Sequence, residues 1–456
     1  MAPQRRIDVV LDSVRRLLRL GATANLFNLL QKQHPADLAG VFGELHERER
    51  KAAFTVLVDR SPKLAMEAAA ELGPEIAAQL LSDRPAEEIA RLIQEIPSDD
   101  AAALVDYLPE ELSTAVLELM RPKESGQVEN LLEYPEKTAG RIMNPNVFAL
   151  SEDLTVGEGI KELQSARDVE MVFYLYNVDE RRHLVGVTSL RRLLLVSPET
   201  PLKRIMSTDV MSVRVDTDQE EAARQVASYN LLAIPVVDEE NKLVGVVTVD
   251  DVIDVIKDEA TEDIFRLAGV TADERVFTPP GESLTKRLPW LAVNLVTAFV
   301  ASWVVGLFEH TIDQVVALAV FMPIVAGMGG NAATQTLTVI VRGIALGELS
   351  WSNSRKALFK EAIVGLGNGL TLGTMGALVV WLVKGNPVLG GVLAMAMVIN
   401  MFIAATAGTL IPLGLRALKV DPALASSVFI TTFTDVAGFA SFLGLATVFL
   451  RYLRPG

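Results

Sequence analysis

The chain contains no cysteine, so it has no disulfide, no thiol nucleophile and no cysteine-held metal cluster. It also lacks a nucleophile–base pair, a P-loop and a zinc motif, which argues against an enzyme. Basic residues are short in its first part. Residues 1–287 hold 33 Lys/Arg against 51 Asp/Glu, a net charge of −18. A surface of that sign repels nucleic acid and attracts cations. The stretch Met1 to Arg19 is not expected to be a secretory leader, because Asp8 and Asp12 interrupt any apolar core there. The acidic part is therefore expected to stay in the cytoplasm.

From Leu288 onward charge nearly disappears, with nine basic and six acidic residues. Four uncharged runs, Leu288–Phe308, Gln314–Val341, Ala362–Val383 and Gly385–Leu415, are each long enough to cross a bilayer. A fifth, Pro422–Leu450, is broken only by Asp435, with 13 uncharged residues before it and 15 after. Five such runs define a membrane domain over 288–456. Lys286 and Arg287 precede the first span. Arg342, Arg355, Lys356 and Lys360 fill the second connection, and Arg416 and Lys419 the fourth. The positive-inside rule places these on the cytoplasmic side, which leaves the C-terminus outside despite Arg451 and Arg454.

A carboxylate near mid-bilayer costs roughly 2.5–3.5 kcal/mol or more, so Asp435 reads as a functional residue. Thr431, Thr432 and Thr434 surround it, and hydroxyl, carbonyl and carboxylate oxygens together suit a hard cation such as magnesium. The run Gly327-Met328-Gly329-Gly330-Asn331, after Pro323, predicts a broken helix lining a water-filled path. Gly365, Gly369 and Gly373 predict close helix packing, and Asn294, Asn368 and Asn400 hydrogen bonds between helices.

Residues 1–134 read as a cytoplasmic helical solenoid. Prolines followed by acids (Pro35, Pro85, Pro97, Pro109) mark successive helix starts. Residues 135–249 contain an internal repeat. Met143-Asn144-Pro145 opens one copy and Leu184–Leu190 closes it; Met206-Ser207-Thr208 opens the second and Leu243–Asp251 closes it. Apolar strand runs Val172–Val178 and Ala233–Val237 are each followed by an acidic turn. This α/β pattern resembles a tandem CBS pair. That resemblance implies an adenosine nucleotide such as ATP near Arg191 and Asp250, although Arg192 stands where an acid is expected in the first copy.

Residues 250–287 form an acidic connecting helix and linker. Asp250, Asp251, Asp254, Asp258, Glu259, Glu262 and Asp263 surround a single base, Lys257. Carboxylates at i,i+3 and i,i+4 repel one another, and a divalent cation relieves that repulsion.

Taken together, these pieces resemble the MgtE family of magnesium channels and transporters. The resemblance runs through Asp216–Glu221, Pro235–Asp238, Val249–Val252, Glu259–Ile264, Gly329-Gly330-Asn331, Val420–Leu424 and Thr434–Gly438. It implies a homodimer in the bacterial inner membrane with a pore on its two-fold axis. Magnesium is then held at Asp435, with carbonyls around Thr431 and with Asn331 nearby. The acidic segment becomes a plug helix that closes the pore when cytoplasmic magnesium is high. The implied sensor ligands are Asp99, Glu220, Asp251, Asp254, Glu259, Glu262, Asp263 and Asp421. Asn230 stands where relatives have a sensor Asp, and Thr334 where some have Asn. Two other readings remain open on the residues alone. One is a proton- or sodium-coupled divalent-cation secondary transporter, and the other a membrane sensor that transports nothing.

Overall fold

The computed structural model describes residues 3–166, 174–271, 274, 276, 278–418, 420–423 and 427–453. Val172, Lys419, Leu424 and Arg454, used above, lie outside the described residues. The chain divides into two compact units, Met1–Ile256 and Lys257–Gly456.

The first unit opens with ten helices between Pro3 and Glu133, most of them 8–12 residues long. Pro35, Pro62, Pro74 and Pro122 occupy first-turn positions, where the missing N–H costs nothing. Pro85, Pro97 and Pro109 sit one residue earlier, as caps, and are followed by acids that complement the helix dipole. Each helix is too short to be stable alone and buries one face against its neighbours. The resulting core holds Phe42, Phe54, Leu57, Met66, Leu81 and Ile89, with Phe42 and Phe54 edge-to-face at 6.4 Å.

The two repeats follow as three-stranded sheets. Strands β1 (Ala149–Ser151), β2 (Tyr174–Val178) and β3 (Leu184–Ser189) form one; β4 (Val213–Arg214), β5 (Ala233–Val237) and β6 (Leu243–Thr248) form the other. In each, the first strand runs parallel to the second and the second antiparallel to the third. The acidic turns have a local task. Asp179 Oδ1 accepts from the N–H of Arg181 and His183, and Asp238 Oδ1 does the same for Glu240 and Lys242. These turns let Arg182 and Asn241 take left-handed backbone.

The opening segments are exchanged between copies. Asn144 pairs with Val246 of the second repeat and Ser207 with Val187 of the first. Met143 packs on Gly245 and Met206 on Gly186, so closely that a Cβ at either glycine would lie 2.5–2.6 Å from sulfur. Sequence order assigned each opening segment to its own copy; the fold packs it on the other.

Five helices of the second unit are long and apolar enough to cross a membrane: Pro280–Gly306, Ala317–Ala345, Ser354–Lys384, Pro387–Ala417 and Val428–Val448, the last within the helix Ser427–Val448. The first begins before its uncharged run, taking in Glu282, Lys286 and Arg287. Third and fourth spans pack backbone to backbone. A Cβ on Gly369 would lie 2.7 Å from the Val398 Cα, and on Gly373 2.8 Å from the Ala394 oxygen. The small-residue face is thus a packing seam.

The second span departs from expectation. It is one continuous helix from Ala317 to Ala345, with no break at Gly327–Asn331. Asn400 of the fourth span explains its glycine. The buried Asn400 Nδ2 donates to the Val325 carbonyl at 2.9 Å, and a Cβ on Gly329 would fall 2.2 Å from that nitrogen. Gly329 is there to admit a neighbour's side chain, while its own backbone stays helical. Of the three span asparagines, Asn400 alone makes an interhelical bond among the described residues; Asn368 is exposed.

Candidate functional site

Asp435 sits half-buried in the fifth span, one helical turn beyond Thr431. The Thr431 carbonyl accepts from the Thr434 hydroxyl at 2.9 Å, so that oxygen is already engaged. The Thr431 methyl lies against Gly330, where an added Cβ would meet it at 3.7 Å. Second and fifth spans therefore touch at the level of Asn331 and within a turn of Asp435.

Asn331 is exposed, and it heads a stripe that sequence reading missed. Asn331, Thr334, Gln335 and Thr338 follow i, i+3, i+4, i+7 spacing and are all exposed on one face of the second span. The two threonine hydroxyls donate back to Gly330 and Thr334 carbonyls. A polar face of this kind is unsuited to lipid and belongs against water or another polar surface. The spacing itself would have revealed it, had it been scored on polar rather than apolar residues.

The residues that the resemblance implies as sensor ligands fall in both units. In the first, Asp99 opens the helix Ser98–Asp106, and Asp251 lies in the first turn of the helix Val249–Leu267. Burial pushes the Asp99 carboxyl well above the usual range, and the negative charges of Asp251 and Asp100 add to it. Its Oδ1 is enclosed and has no hydrogen-bond partner among the described residues. Burial raises Asp251 to about 6, partly opposed by donation from Thr248. Two desolvated carboxylates within each other's field, one with an orphaned oxygen, fit a shared cation. Glu220 instead pairs with Arg224 at 3.2 Å. Asn230 caps its helix in left-handed backbone, a conformation that Asn adopts readily.

In the second unit, Glu262 and Asp421 are both ion-paired to Arg266. This base, one turn past the acidic run, was also missed, because only Lys257 lies inside the run. Among the described residues, no three His, Asp or Glu side chains gather as a metal site.

Arg191 and Asp250 occupy matching places, each two residues after the last residue of its repeat's third strand. Both are exposed, and no bond joins them.

Three parts of the chain match known family profiles: residues 322–445 that of a divalent cation transporter, 33–137 that of the MgtE intracellular N domain, and 202–258 that of a CBS domain. The magnesium transporter MgtE of Thermus thermophilus is 40% identical over 338 residues, covering 73% of this chain and 75% of the relative. That of Bacillus subtilis is 39% identical over 335 residues, 73% and 74% respectively. Among solved structures, the cytosolic domain of the Mg2+ channel MgtE in complex with ATP is similar at 38% identity and a TM-score of 0.51. The match covers 54% of this chain and 99% of that one.

Proposed function

The chain belongs to the MgtE family of magnesium transporters, multi-pass membrane proteins with a cytoplasmic N domain, and from this we propose a magnesium-gated channel for magnesium uptake, built as a homodimer. The observation that carries the reading is the lone Asp435 beside a polar stripe that one chain leaves exposed. A second copy facing that stripe would enclose a hydrated path and bring two carboxylates to one ion. Magnesium sheds its waters reluctantly, so a carboxylate pair can hold it through its hydration shell and still release it. Five spans with a cytoplasmic N-terminal half leave the C-terminus outside.

The gate in this reading is the acidic helix. Asp99, Glu220, Asp251 and Asp254 supply ligands from the first unit; Glu259, Glu262, Asp263 and Asp421 supply them from the second. Magnesium favours the closed arrangement only because it binds there better than to the open one. ATP on Arg191 and Asp250 is a further element, supported by the ATP complex of the related cytosolic domain. Arg192 in place of an acid implies weaker binding than in relatives that carry one.

Current reversal potentials in proteoliposomes test the reading. A channel reverses at the magnesium equilibrium potential, whatever the pH gradient. A reversal that moves with the pH or sodium gradient would establish the coupled transporter instead.

A further inference from the structure

Away from Asp435 and the polar stripe, the membrane unit contains a cavity of about 620 Å³ where the third span begins and the fourth ends. Leu358, Leu410 and Leu413 give it an apolar wall, and Trp351 and Arg355 also line it. Gly414 leaves one side low, since a Cβ there would meet nothing within 4 Å. Trp351 is 68% exposed.

Three observations narrow what fits. The first is position. The cavity lies at the ends of two spans, hence at the membrane boundary. With a cytoplasmic N domain, the second and fourth connections face the cytoplasm. The second is charge. Arg342, Arg355, Lys356, Lys360 and Arg416 gather at this end against Glu348, Glu361 and Asp421. Lys360 is paired with Glu361, and Arg416 donates to the Leu349 carbonyl, tying the two connections together. Arg355 and Lys356 have no carboxylate partner among the described residues. The third is the lining itself, an apolar wall beside an exposed indole and an uncompensated guanidinium. A soluble anion has no use for the leucines, and a neutral acyl chain has none for the arginine.

We propose that this cavity binds one anionic phospholipid of the cytoplasmic leaflet. An acyl chain lies on Leu358, Leu410 and Leu413, the phosphate meets the Arg355 guanidinium, and the Trp351 ring stands at headgroup depth. Indole rings favour that depth, and the cytoplasmic leaflet is where anionic lipid attracts basic clusters. The site is independent of which ion the protein carries.

The test uses full-length protein in phosphatidylcholine nanodiscs carrying a minor fraction of brominated lipid. Trp290, Trp303 and Trp381 are replaced by Phe so that Trp351 is the sole tryptophan. Brominated phosphatidylglycerol is expected to quench more strongly than brominated phosphatidylcholine, and Trp351→Phe to abolish the difference. Arg355→Gln should lower the preference about fivefold, the loss of one basic residue's attraction to anionic lipid. Its thermal unfolding in pure phosphatidylcholine should not change, because Arg355 is exposed and has no carboxylate partner among the described residues; Arg355→Lys should keep most of the preference. Equal quenching by the two lipids overturns the proposal, as does an undiminished preference in Arg355→Gln. Displacement of the quencher by inorganic phosphate would also overturn it, in favour of a small-anion site.

Discussion

The two units solve opposite problems. The membrane unit has almost no charge and holds its helices together by removing side chains: Gly369, Gly373 and Gly390 bring third and fourth spans into backbone contact. The cytoplasmic unit carries charge in excess, and its acids at Asp99 and Asp251 sit desolvated in each other's field. The membrane unit packs closely but leaves the Asn331 stripe exposed, while the first unit holds two desolvated carboxylates that a cation would suit. The proposed roles follow the same contrast: Asp435 in the membrane unit would hold the crossing ion, and the carboxylates around Asp99 and Asp251 in the first unit would respond to its concentration. Four substitutions or conditions separate these roles.

The largest effect is expected at Asp435. Asp435→Asn keeps the size and would remove two charges from the proposed dimeric pore. Growth of a strain lacking other magnesium transporters should fail at low magnesium, with the protein still present in the membrane. Rescue at wild-type level would remove Asp435 from the pathway.

Neutralising Glu259, Glu262 and Asp263 together should leave conduction intact and abolish inhibition by cytoplasmic magnesium. Patch recordings at millimolar magnesium read this directly. Inhibition equal to wild type would make the segment a solvated acidic linker.

The packing seam predicts a graded response. Gly369→Val drives a side chain into the Val398 backbone and should destabilise the membrane unit by roughly 1–3 kcal/mol. Gly367→Ala, where a Cβ meets nothing within 4 Å, should be close to neutral. Thermal unfolding in detergent ranks the two. Similar losses would mean that helix propensity, not packing, dominates.

The smallest effect is a pH dependence in a fragment ending at Leu267. Asp251 is raised from 3.8 to about 6 on folding, so the folded state holds its proton more tightly than the unfolded state does. Stability is then full below pH 4 and falls as pH rises towards 6, with Asp99 extending the fall upward. The loss should be on the order of 1–2 kcal/mol after solvent screening. Magnesium should flatten the slope, and Asp99→Asn should reduce it. A slope unaffected by magnesium in urea unfolding would break the link between these carboxylates and the cation.

Much of this was readable along the chain because it depends on local chemistry. Uncharged runs of sufficient length must span a bilayer, and proline followed by acids must start helices. A lone mid-span carboxylate must be functional or costly. Arg266 escaped because its partner Asp421 is 155 residues away in sequence. The polar stripe at Asn331, Thr334, Gln335 and Thr338 is legible in its i, i+3, i+4, i+7 spacing, and the fold adds that this face stays exposed.

By itself the sequence determined the five spans, the helical N domain, the duplicated α/β unit and the acidic run, since hydrophobic periodicity and charge act residue by residue. Only the tertiary structure decided how glycines are used. Gly329 reads alone as a helix breaker, yet it keeps its helix whole and makes room for Asn400. Gly186 and Gly245 read as strand residues, yet each accepts a methionine from the opposite repeat. A missing side chain has no meaning until its neighbour is known, and that neighbour is chosen by the fold.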